Sequence, residues 1–217
     1  MKTLEFIAKK HHLDLKALSP IEIPNMGRNN LPELFAELGF KVGLEMGTEA
    51  GRYAEFLCKG NPEGKLYCVD AWEAYPGYRE HVSQSQLDEI HEIAKKRLSP
   101  FNCELIKAFS VDVVKNFTDG SLDYVYIDGN HEYGFTIQDL NIWSKKVRPG
   151  GIIAGHDYTR PTGHSLDKCE VVQAVKDFTK THNISPWFVI GSNEKIPGQI
   201  RDHSRSYLWV VPDGKNL

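Results

Sequence analysis

The segment that decides the fold is Val42-Gly-Leu-Glu-Met-Gly-Thr-Glu-Ala-Gly51. Its apolar start predicts a buried strand that ends in an acidic residue, Glu45, and its glycines predict a tight turn into a helix. This arrangement places backbone N–H groups and a carboxylate at the mouth of a parallel sheet, where nucleotide-like ligands bind. The spacing is Glu-x-Gly-x-x-x-Gly, not the Gly-x-Gly-x-x-Gly of a dinucleotide site. A carboxylate here would repel a pyrophosphate but suits a ligand with a cationic amino group and hydroxyls.

Working outward from this turn, strand-like and helix-like patterns alternate along the chain. The predicted strands are residues 41–46, 66–69, 103–107, 122–127, 152–154, 187–190 and 207–211. Such alternation is typical of a mostly parallel sheet that helices cover on both faces. A polar loop without a helical pattern joins the last two segments, so we expect them to form an antiparallel hairpin. The prediction is an α/β fold with a Rossmann-like, doubly wound, seven-stranded, mostly parallel sheet and a C-terminal antiparallel hairpin.

The first forty residues predict a helical lead-in to this sheet. Apolar side chains recur at helical spacing up to residue 18, and Ser19-Pro20 is expected to end that helix. Residues 21–29 predict a loop, and Asn30 has the features of an N-cap for a second helix that stops at Gly39. No linker composition separates the lead-in, residues 1–40, from residues 41–217, so we expect one domain overall.

Composition and charge narrow the class of protein. The 217 residues are 41% hydrophobic and 25% charged, which is ordinary for a soluble globular domain with a full core. The net charge of −3 gives no support for nucleic-acid binding, and no apolar run has the length of a signal peptide or a membrane span. The four cysteines show no metal or redox spacing, so we expect free thiols in the cytoplasm. The sequence leaves a homodimer open.

A second acidic residue lies where a nucleoside ligand would need it. Asp70 ends the second predicted strand, 23 residues (70 − 47) after Gly47. A carboxylate at that position can accept hydrogen bonds from both hydroxyls of a ribose, although an ordinary turn aspartate would also fit. Ser110, after the third predicted strand, is either a helix N-cap or a contact to an adenine ring. S-adenosylmethionine carries the amino group, ribose and adenine that these positions suit.

Four ionisable residues follow two strands that the fold makes neighbours. The fourth predicted strand runs into Asp128 and His131, and the fifth runs into His156 and Asp157. Neighbouring strands lie roughly 4.8 Å apart, so these side chains should converge at the carboxyl edge of the sheet. Ionisable groups gathered in this way are costly unless they are paired or bind something.

Two chemical uses fit this group of side chains. Asp128 and Asp157, with His156 as a further candidate ligand, could hold Mg²⁺ together with water and an acceptor hydroxyl. Alternatively, His131 or His156 titrates near neutrality and removes the acceptor proton directly, beside Asp128. The sequence leaves both uses open.

The longest interruption of the pattern is residues 71–86, after the second predicted strand. It is rich in aromatic residues, including Trp72, Tyr75 and Tyr78. Loops of this kind at the carboxyl ends of strands often cover ligands. The same aromatics would also pack as an ordinary surface cluster, so a lid and a packed loop are both open.

These motifs together resemble a class I S-adenosylmethionine-dependent methyltransferase. The resemblance rests on Glu45-x-Gly47-x-x-x-Gly51, on Asp70, and on the runs Ile127-Asp-Gly-Asn-His-Glu-Tyr133 and Arg148-Pro-Gly-Gly-Ile-Ile-Ala-Gly-His-Asp-Tyr158. It covers residues 40–160. The subgroup with the Asp-Gly-x-His-x-Tyr and His-Asp-Tyr patterns is related to sugar and macrolide O-methyltransferases and, more distantly, to catechol O-methyltransferases.

The resemblance implies a set of cofactor-binding residues: Glu45, Gly47, Thr48, Gly51, Asp70, Ala71, Ser110 and Asp128. The glutamate and the two glycines would surround the methionine part, Asp70 would bind the ribose, Ser110 the adenine edge, and Asp128 would lie beside the methyl group. In the metal-dependent relatives, the first ligand aligns with Asp128 and the next with His156-Asp157. Those relatives usually carry two acidic residues or Asp-Asn at the second position, and this chain departs from that pattern.

The predicted function is transfer of a methyl group from S-adenosylmethionine to a small hydroxylated acceptor, such as a sugar or a natural-product intermediate. The mechanism would be in-line displacement at the sulfonium methyl, with most of the rate gain from proximity and alignment. Two alternatives are an NAD(P)-dependent oxidoreductase and a non-catalytic protein that binds an adenosyl ligand. Glu45 and the missing middle glycine disfavour the first, and the four ionisable residues disfavour the second.

Overall fold

The computed structural model describes residues 1–75, 82–159, 169–192, 194–195, 200–202, 204–212 and 214. Helices and strands alternate over this part of the chain. The helices are α1 (Thr3–His11), α2 (Leu31–Glu37), α3 (Arg52–Gly60), α4 (Gln84–Leu98), α5 (Ser110–Val113), α6 (Tyr133–Trp143) and α7 (Val171–Thr181). The strands are β1 (Ile21–Glu22), β2 (Val42–Met46), β3 (Lys65–Asp70), β4 (Cys103–Lys107), β5 (Leu122–Ile127), β6 (Val147–Gly155), β7 (Phe188–Ile190) and β8 (Ser206–Val210).

The strands form one sheet in the order β1-β7-β8-β6-β5-β2-β3-β4. β8 runs antiparallel to its neighbours β6 and β7, and the other paired strands are parallel. The prediction of a Rossmann-like, mostly parallel α/β sheet is therefore confirmed. The strand order reverses between β2 and β5, which is the position where ligands bind in open sheets of this kind.

Two details of the predicted sheet differ from the structure. Within the described residues the sheet has eight strands rather than seven, because Ile21–Glu22, in the predicted loop, pairs with β7. A two-residue strand has no measurable period, so the sequence pattern could not reveal it. β7 and β8 are an antiparallel pair, as expected, but residues 191–205 connect them and β8 lies between β6 and β7. The pair is therefore not a tight hairpin.

The helical lead-in also differs in its boundaries. α1 ends at His11, well before Ser19-Pro20, because the next residue adopts a left-handed conformation with a φ of 53°. Asn30 is at the N-cap position of α2, but its side-chain oxygen accepts a hydrogen bond from the Gly27 amide at 3.0 Å instead of capping the helix. Ile7 of α1 is fully buried in a hydrophobic cluster that also contains Tyr124 and Tyr126 of β5. The lead-in is thus part of the core.

Hydrophobic side chains cover both faces of the sheet. Along β5, Tyr124 and Tyr126 belong to one buried cluster, whereas Val125 and Ile127 belong to the other. This alternation is what a strand covered on both sides requires. Among the described residues, none of the helices combines the length and the apolar character needed to cross a bilayer.

Candidate active site

The turn after β2 lies directly against the end of β5. The Gly47 amide donates to the Val69 carbonyl at 2.8 Å, and the Asp128 amide donates to the Met46 carbonyl at 2.8 Å. Gly47 has a φ of +88°, and a Cβ atom there would lie 1.9 Å from the Asp128 carbonyl oxygen. Only glycine is compatible with both this conformation and this close approach. The predicted cofactor turn and Asp128 are therefore in contact.

Glu45, the acid of the β2 motif, is buried with one oxygen unpaired. The residue is 1% exposed, and no group in the described part of the chain donates a hydrogen bond to its Oε2 atom. Burial raises the pKa of Glu45 to about 8, and the nearby Thr48 hydroxyl, which makes no hydrogen bond of normal geometry, offsets this only in part. A buried carboxyl group in this state is costly unless a ligand supplies a donor or a positive charge.

Asp70 is held rigidly at the end of β3. Its two carboxylate oxygens accept hydrogen bonds from the backbone amides of Glu49, at 2.8 Å, and Trp72, at 2.9 Å. The Trp72 indole N–H in turn donates to the Glu49 carbonyl at 2.8 Å. These two amides fix the orientation of the Asp70 carboxylate at the edge of the sheet.

Beside Asp70, a cavity of about 290 Å³ opens at the carboxyl edge of the sheet. Its lining joins the predicted ribose and adenine positions and includes Asp70, Ala71, Phe109, Ser110 and Phe135. Apolar and aromatic walls with a few fixed polar groups are typical of small-molecule sites.

Four of the predicted cofactor residues lie outside this lining: Glu45, Thr48, Gly51 and Asp128. Thr48 is buried, and Asp128 follows the end of β5. Gly51 has a φ of +72° and begins α3, and a side chain there would meet Leu98 of α4. The packing of α3 against α4 therefore explains why position 51 is a glycine. Glu45 lies within β2, two residues before Gly47, and is buried.

The segment predicted as a lid or a packed loop has features of both. Tyr75 lines the cavity, where its hydroxyl accepts a hydrogen bond from Asn130 Nδ2 at 3.2 Å and its ring meets the edge of Phe109 at a centroid distance of 5.5 Å. Trp72 is instead 1% exposed and stacks on His91 at 4.1 Å. Residues 76–81, with Tyr78, lie outside the described residues.

Ser110 does not cap a helix with its side chain, because Phe109 is the N-cap of α5. Instead, its hydroxyl accepts a hydrogen bond from Trp143 Nε1 at 2.8 Å and donates one to Asp139 Oδ1. Burial raises the pKa of Asp139 to about 6. This network fixes the cavity wall after β4. Asp139 was not predicted as a site residue, and its signal in the sequence is a charged side chain inside the apolar helical stripe around Leu140.

The ends of β5 and β6 bring four ionisable side chains together, and we call Asp128, His131, His156 and Asp157 the Asp–His cluster. His131 Nε2 lies 3.0 Å from Asp157 Oδ2 and 3.7 Å from Asp128 Oδ1. His156 Nδ1 lies 3.2 Å from Asp157 Oδ2 and 3.6 Å from Asp128 Oδ1. Between 13% and 29% of each side chain is exposed. Each imidazole is thus shared by both carboxylates.

The carboxylates and imidazoles of the Asp–His cluster stabilise each other's charged forms. Burial alone would lower the pKa of each imidazole, but Asp128 and Asp157 outweigh it and raise the pKa to about 10 for His131 and about 9 for His156. The same pairing overcomes burial and lowers the pKa of both carboxyl groups. The network as it stands therefore carries protons on both imidazoles at neutral pH, and neither imidazole is a ready base.

Three members of the cluster have the arrangement of a metal site. One ligand atom from each of Asp128, His131 and Asp157 lies within 4.8 Å of the other two. Carboxylate oxygens are the ligands that hard divalent cations prefer, and an imidazole nitrogen is a common addition. The structure thus places His131, rather than His156, in the third position of such a set.

Arg28, the first residue of a short 3-10 turn (Arg28–Asn30) before α2, was not predicted as a site residue. Its Nη1 atom lies 3.7 Å from Asp128 Oδ2, and its guanidinium covers the ring of Tyr53 at 5.0 Å. No motif marks this arginine, since it reaches the strand tips from a segment that reads as an irregular loop.

The family of the chain follows from comparison with known proteins. Residues 44–158, slightly more than half of the chain, match the family described as "Methyltransferase domain". The chain belongs to this methyltransferase family. The matched segment runs from β2 through the end of β6, so it contains the Gly47 turn, Asp70 and the whole Asp–His cluster. No protein of curated function matches the sequence.

Solved structures share this fold, and two of the three named here are described as O-methyltransferases. Cofactor-bound Rv0187 from MTB has a TM-score of 0.59 at 17% identity, covering 97% of this chain and 88% of its own. The O-methyltransferase from Bacillus cereus in complex with SAH has a TM-score of 0.58 at 18% identity, with 96% and 90% covered. TomG from Streptomyces achromogenes, in complex with SAM, has a TM-score of 0.57 at 19% identity, with 97% and 90% covered.

Proposed function

We propose that this methyltransferase transfers the methyl group of S-adenosylmethionine to an oxygen of a small hydroxylated acceptor, such as a sugar or a natural-product intermediate. The observation that carries the proposal is the contact between Gly47 and Asp128, which joins a cofactor turn to the Asp–His cluster. O-methyltransferases bound to SAM or SAH have the same fold, and they support the choice of donor and of oxygen as the acceptor atom.

The residues present fit S-adenosylmethionine along its whole length. The unpaired, buried Glu45 suits the ammonium of the methionine part, because a cation would stabilise its ionised form. Asp70, fixed at the end of β3 and lining the cavity, suits the ribose hydroxyls, and the aromatic cavity past Ala71 and Ser110 suits the adenine. When bound, the cofactor supplies an electrophilic methyl group. The chain's own contribution is to hold that methyl in line with the acceptor oxygen.

The Asp–His cluster is the proposed acceptor site. Asp128, His131 and Asp157 would be the ligands of a divalent cation such as Mg²⁺, which would act as a Lewis acid and lower the pKa of the acceptor hydroxyl. His156 would contact the same carboxylates from the other side. If no cation is needed, His131 or His156 would instead be the base, and one of them would first have to lose its own proton.

Methyl transfer and ligand binding test this proposal together. Thermal shifts with S-adenosylhomocysteine and with NADH distinguish a methyltransferase from an oxidoreductase, and we expect stabilisation by the first compound alone. Transfer of labelled methyl groups to a panel of sugars and phenols should then fall at least tenfold in Asp128→Asn. The matched control is Asp119→Asn, an exposed aspartate paired with Lys146. Stabilisation by NADH alone would contradict the assignment of S-adenosylmethionine as the methyl donor. Unchanged methyl transfer in Asp128→Asn would exclude the Asp–His cluster as the acceptor site.

A further inference from the structure

Arg28 is held in place by hydrogen bonds to two other parts of the chain. Its backbone amide donates to Asp202 Oδ2 at 3.1 Å, in the connection between β7 and β8. Its carbonyl accepts a hydrogen bond from the Tyr53 hydroxyl at 2.8 Å, at the start of α3. The guanidinium then lies over the ring of the same tyrosine, a favourable cation–π arrangement. The side chain is therefore pre-organised at the tips of the central strands.

The charge of Arg28 is only partly used by its protein neighbours. Its contact to Asp128 is 3.7 Å long, which is beyond a normal hydrogen bond, and its charge also faces the Tyr126 hydroxyl. A guanidinium has five N–H donors in a planar fork. Since 32% of the side chain is exposed, donors remain for a ligand that enters at the strand tips.

Arg28 and Glu45 both lie near the contact between β2 and the end of β5. Arg28 reaches Asp128 there, and Glu45 comes one residue before Met46, whose carbonyl accepts a hydrogen bond from the Asp128 amide. The positive charge of Arg28 reaches Glu45, where it opposes the effect of burial on that carboxyl group. A fixed acid and a fixed cation within electrostatic reach of each other complement a zwitterion, whose ammonium and carboxylate are separated by a single carbon. The methionine part of S-adenosylmethionine ends in such a group.

We infer that Arg28 binds the α-carboxylate of the methionine part of the cofactor, while Glu45 binds its ammonium. This inference rests on the proposed function, since it takes S-adenosylmethionine as the donor. It makes Arg28 a specificity-determining residue, because a ligand without the carboxylate would leave the guanidinium without its partner. The bidentate geometry of arginine with carboxylates favours this role over that of a simple counter-ion.

Calorimetric titration with two ligands tests the inference. The first is S-adenosylhomocysteine, and the second is S-adenosyl-3-thiopropylamine, which lacks only the carboxylate. We expect Arg28→Gln to weaken the first ligand about ten- to a hundredfold, the range of a lost charge-assisted hydrogen-bond pair. Binding of the second ligand should change less than about threefold. Arg28→Lys should be intermediate for the first ligand, because it keeps the charge but not the fork.

Arg52→Gln is the matched control, since Arg52 is an exposed arginine at the start of α3. It should bind both ligands like the wild type. Equal weakening of both ligands by Arg28→Gln would show that Arg28 supports the site only structurally, and no weakening of either would show that it is only a counter-ion for Asp128. Both results would overturn the inference while leaving the donor intact. If wild-type protein bound neither ligand, the proposed function itself would fail.

Discussion

Replacing Gly47 with alanine tests the contact that joins the cofactor turn to the Asp–His cluster. The new Cβ would lie 1.9 Å from the Asp128 carbonyl oxygen and 2.4 Å from its carbonyl carbon. Both are backbone atoms, so neither can rotate away. The left-handed conformation costs alanine about 1–2 kcal/mol, and overpacking of this kind costs typically 1–3 kcal/mol more. We expect the free energy of unfolding to fall by about 2–5 kcal/mol and S-adenosylhomocysteine binding to be lost.

Two other glycines separate these contributions. Gly39 has a φ of +71° with nothing within 4 Å of a new Cβ, so Gly39→Ala carries the conformational cost alone. Gly134 lies in α6 with equally open space, and Gly134→Ala should stabilise the protein by about 0.5–1 kcal/mol. Urea unfolding and calorimetric titration measure all three variants. A Gly47→Ala variant that is no more destabilised than Gly39→Ala and binds S-adenosylhomocysteine normally would show that the contact between Gly47 and Asp128 does not constrain the site.

Three further predictions concern the charges and the cavity wall. The folded-state pKa of Glu45, about 8, lies above its ordinary value of 4.5. The contribution of protonated Glu45 to ligand-free stability should therefore be fully present below pH 4.5 and be lost as the pH rises to about 8, by at most about 5 kcal/mol. Glu45→Gln should flatten this profile in urea unfolding, and a profile unchanged by the substitution would exclude the assignment. Ser110→Ala leaves Trp143 Nε1 and Asp139 Oδ1 without their partner and should lower the free energy of unfolding by about 2–4 kcal/mol. Ser121 is exposed, so Ser121→Ala should leave the free energy of unfolding unchanged. Equal changes in the two variants would be inconsistent with the Ser110 hydrogen-bond network. Removing divalent cations with a chelator should reduce methyl transfer at least tenfold, and adding Mg²⁺ should restore it. The affinity for S-adenosylhomocysteine should change less than threefold. Methyl transfer that persists in the presence of the chelator would favour an imidazole base.

Most of the sheet could be predicted because its strands are long enough to show a pattern. β2, β3, β4, β5 and the apolar end of β6 each carry a run of apolar residues bounded by turn signals, and their alternation with helices dictates a parallel sheet. β1 could not be found, since two residues define no period. The position of β8 between β6 and β7 also depends on pairing across the whole sheet rather than on local sequence.

The candidate site was predictable where it depends on strand ends. Asp128, His131, His156 and Asp157 follow two strands that the fold places side by side, and the structure brings them within ion-pair distance. The protonation of the imidazoles could not be predicted, because it depends on how many carboxylates each one meets. The expectation that they titrate near neutrality is not supported, since both pKa values are raised well above 7.

The site residues that were not predicted reach the site from other elements. Arg28 comes from a short 3-10 turn without a motif, and Asp139 comes from the second turn of α6, where it was hidden in an apolar stripe. Such contacts depend on tertiary packing, which places side chains from distant segments beside the same strand tips. Sequence patterns describe the strand ends well and describe these additions poorly.

A crystal structure with S-adenosylhomocysteine, with anomalous scattering to identify any bound ion, tests the central claim most directly. We expect the ribose hydroxyls on Asp70, the amino group at Glu45 and the sulfur turned toward the Asp–His cluster, with any ion held by Asp128, His131 and Asp157. An adenosyl group bound elsewhere, or a sulfur turned away from Asp128, would contradict it.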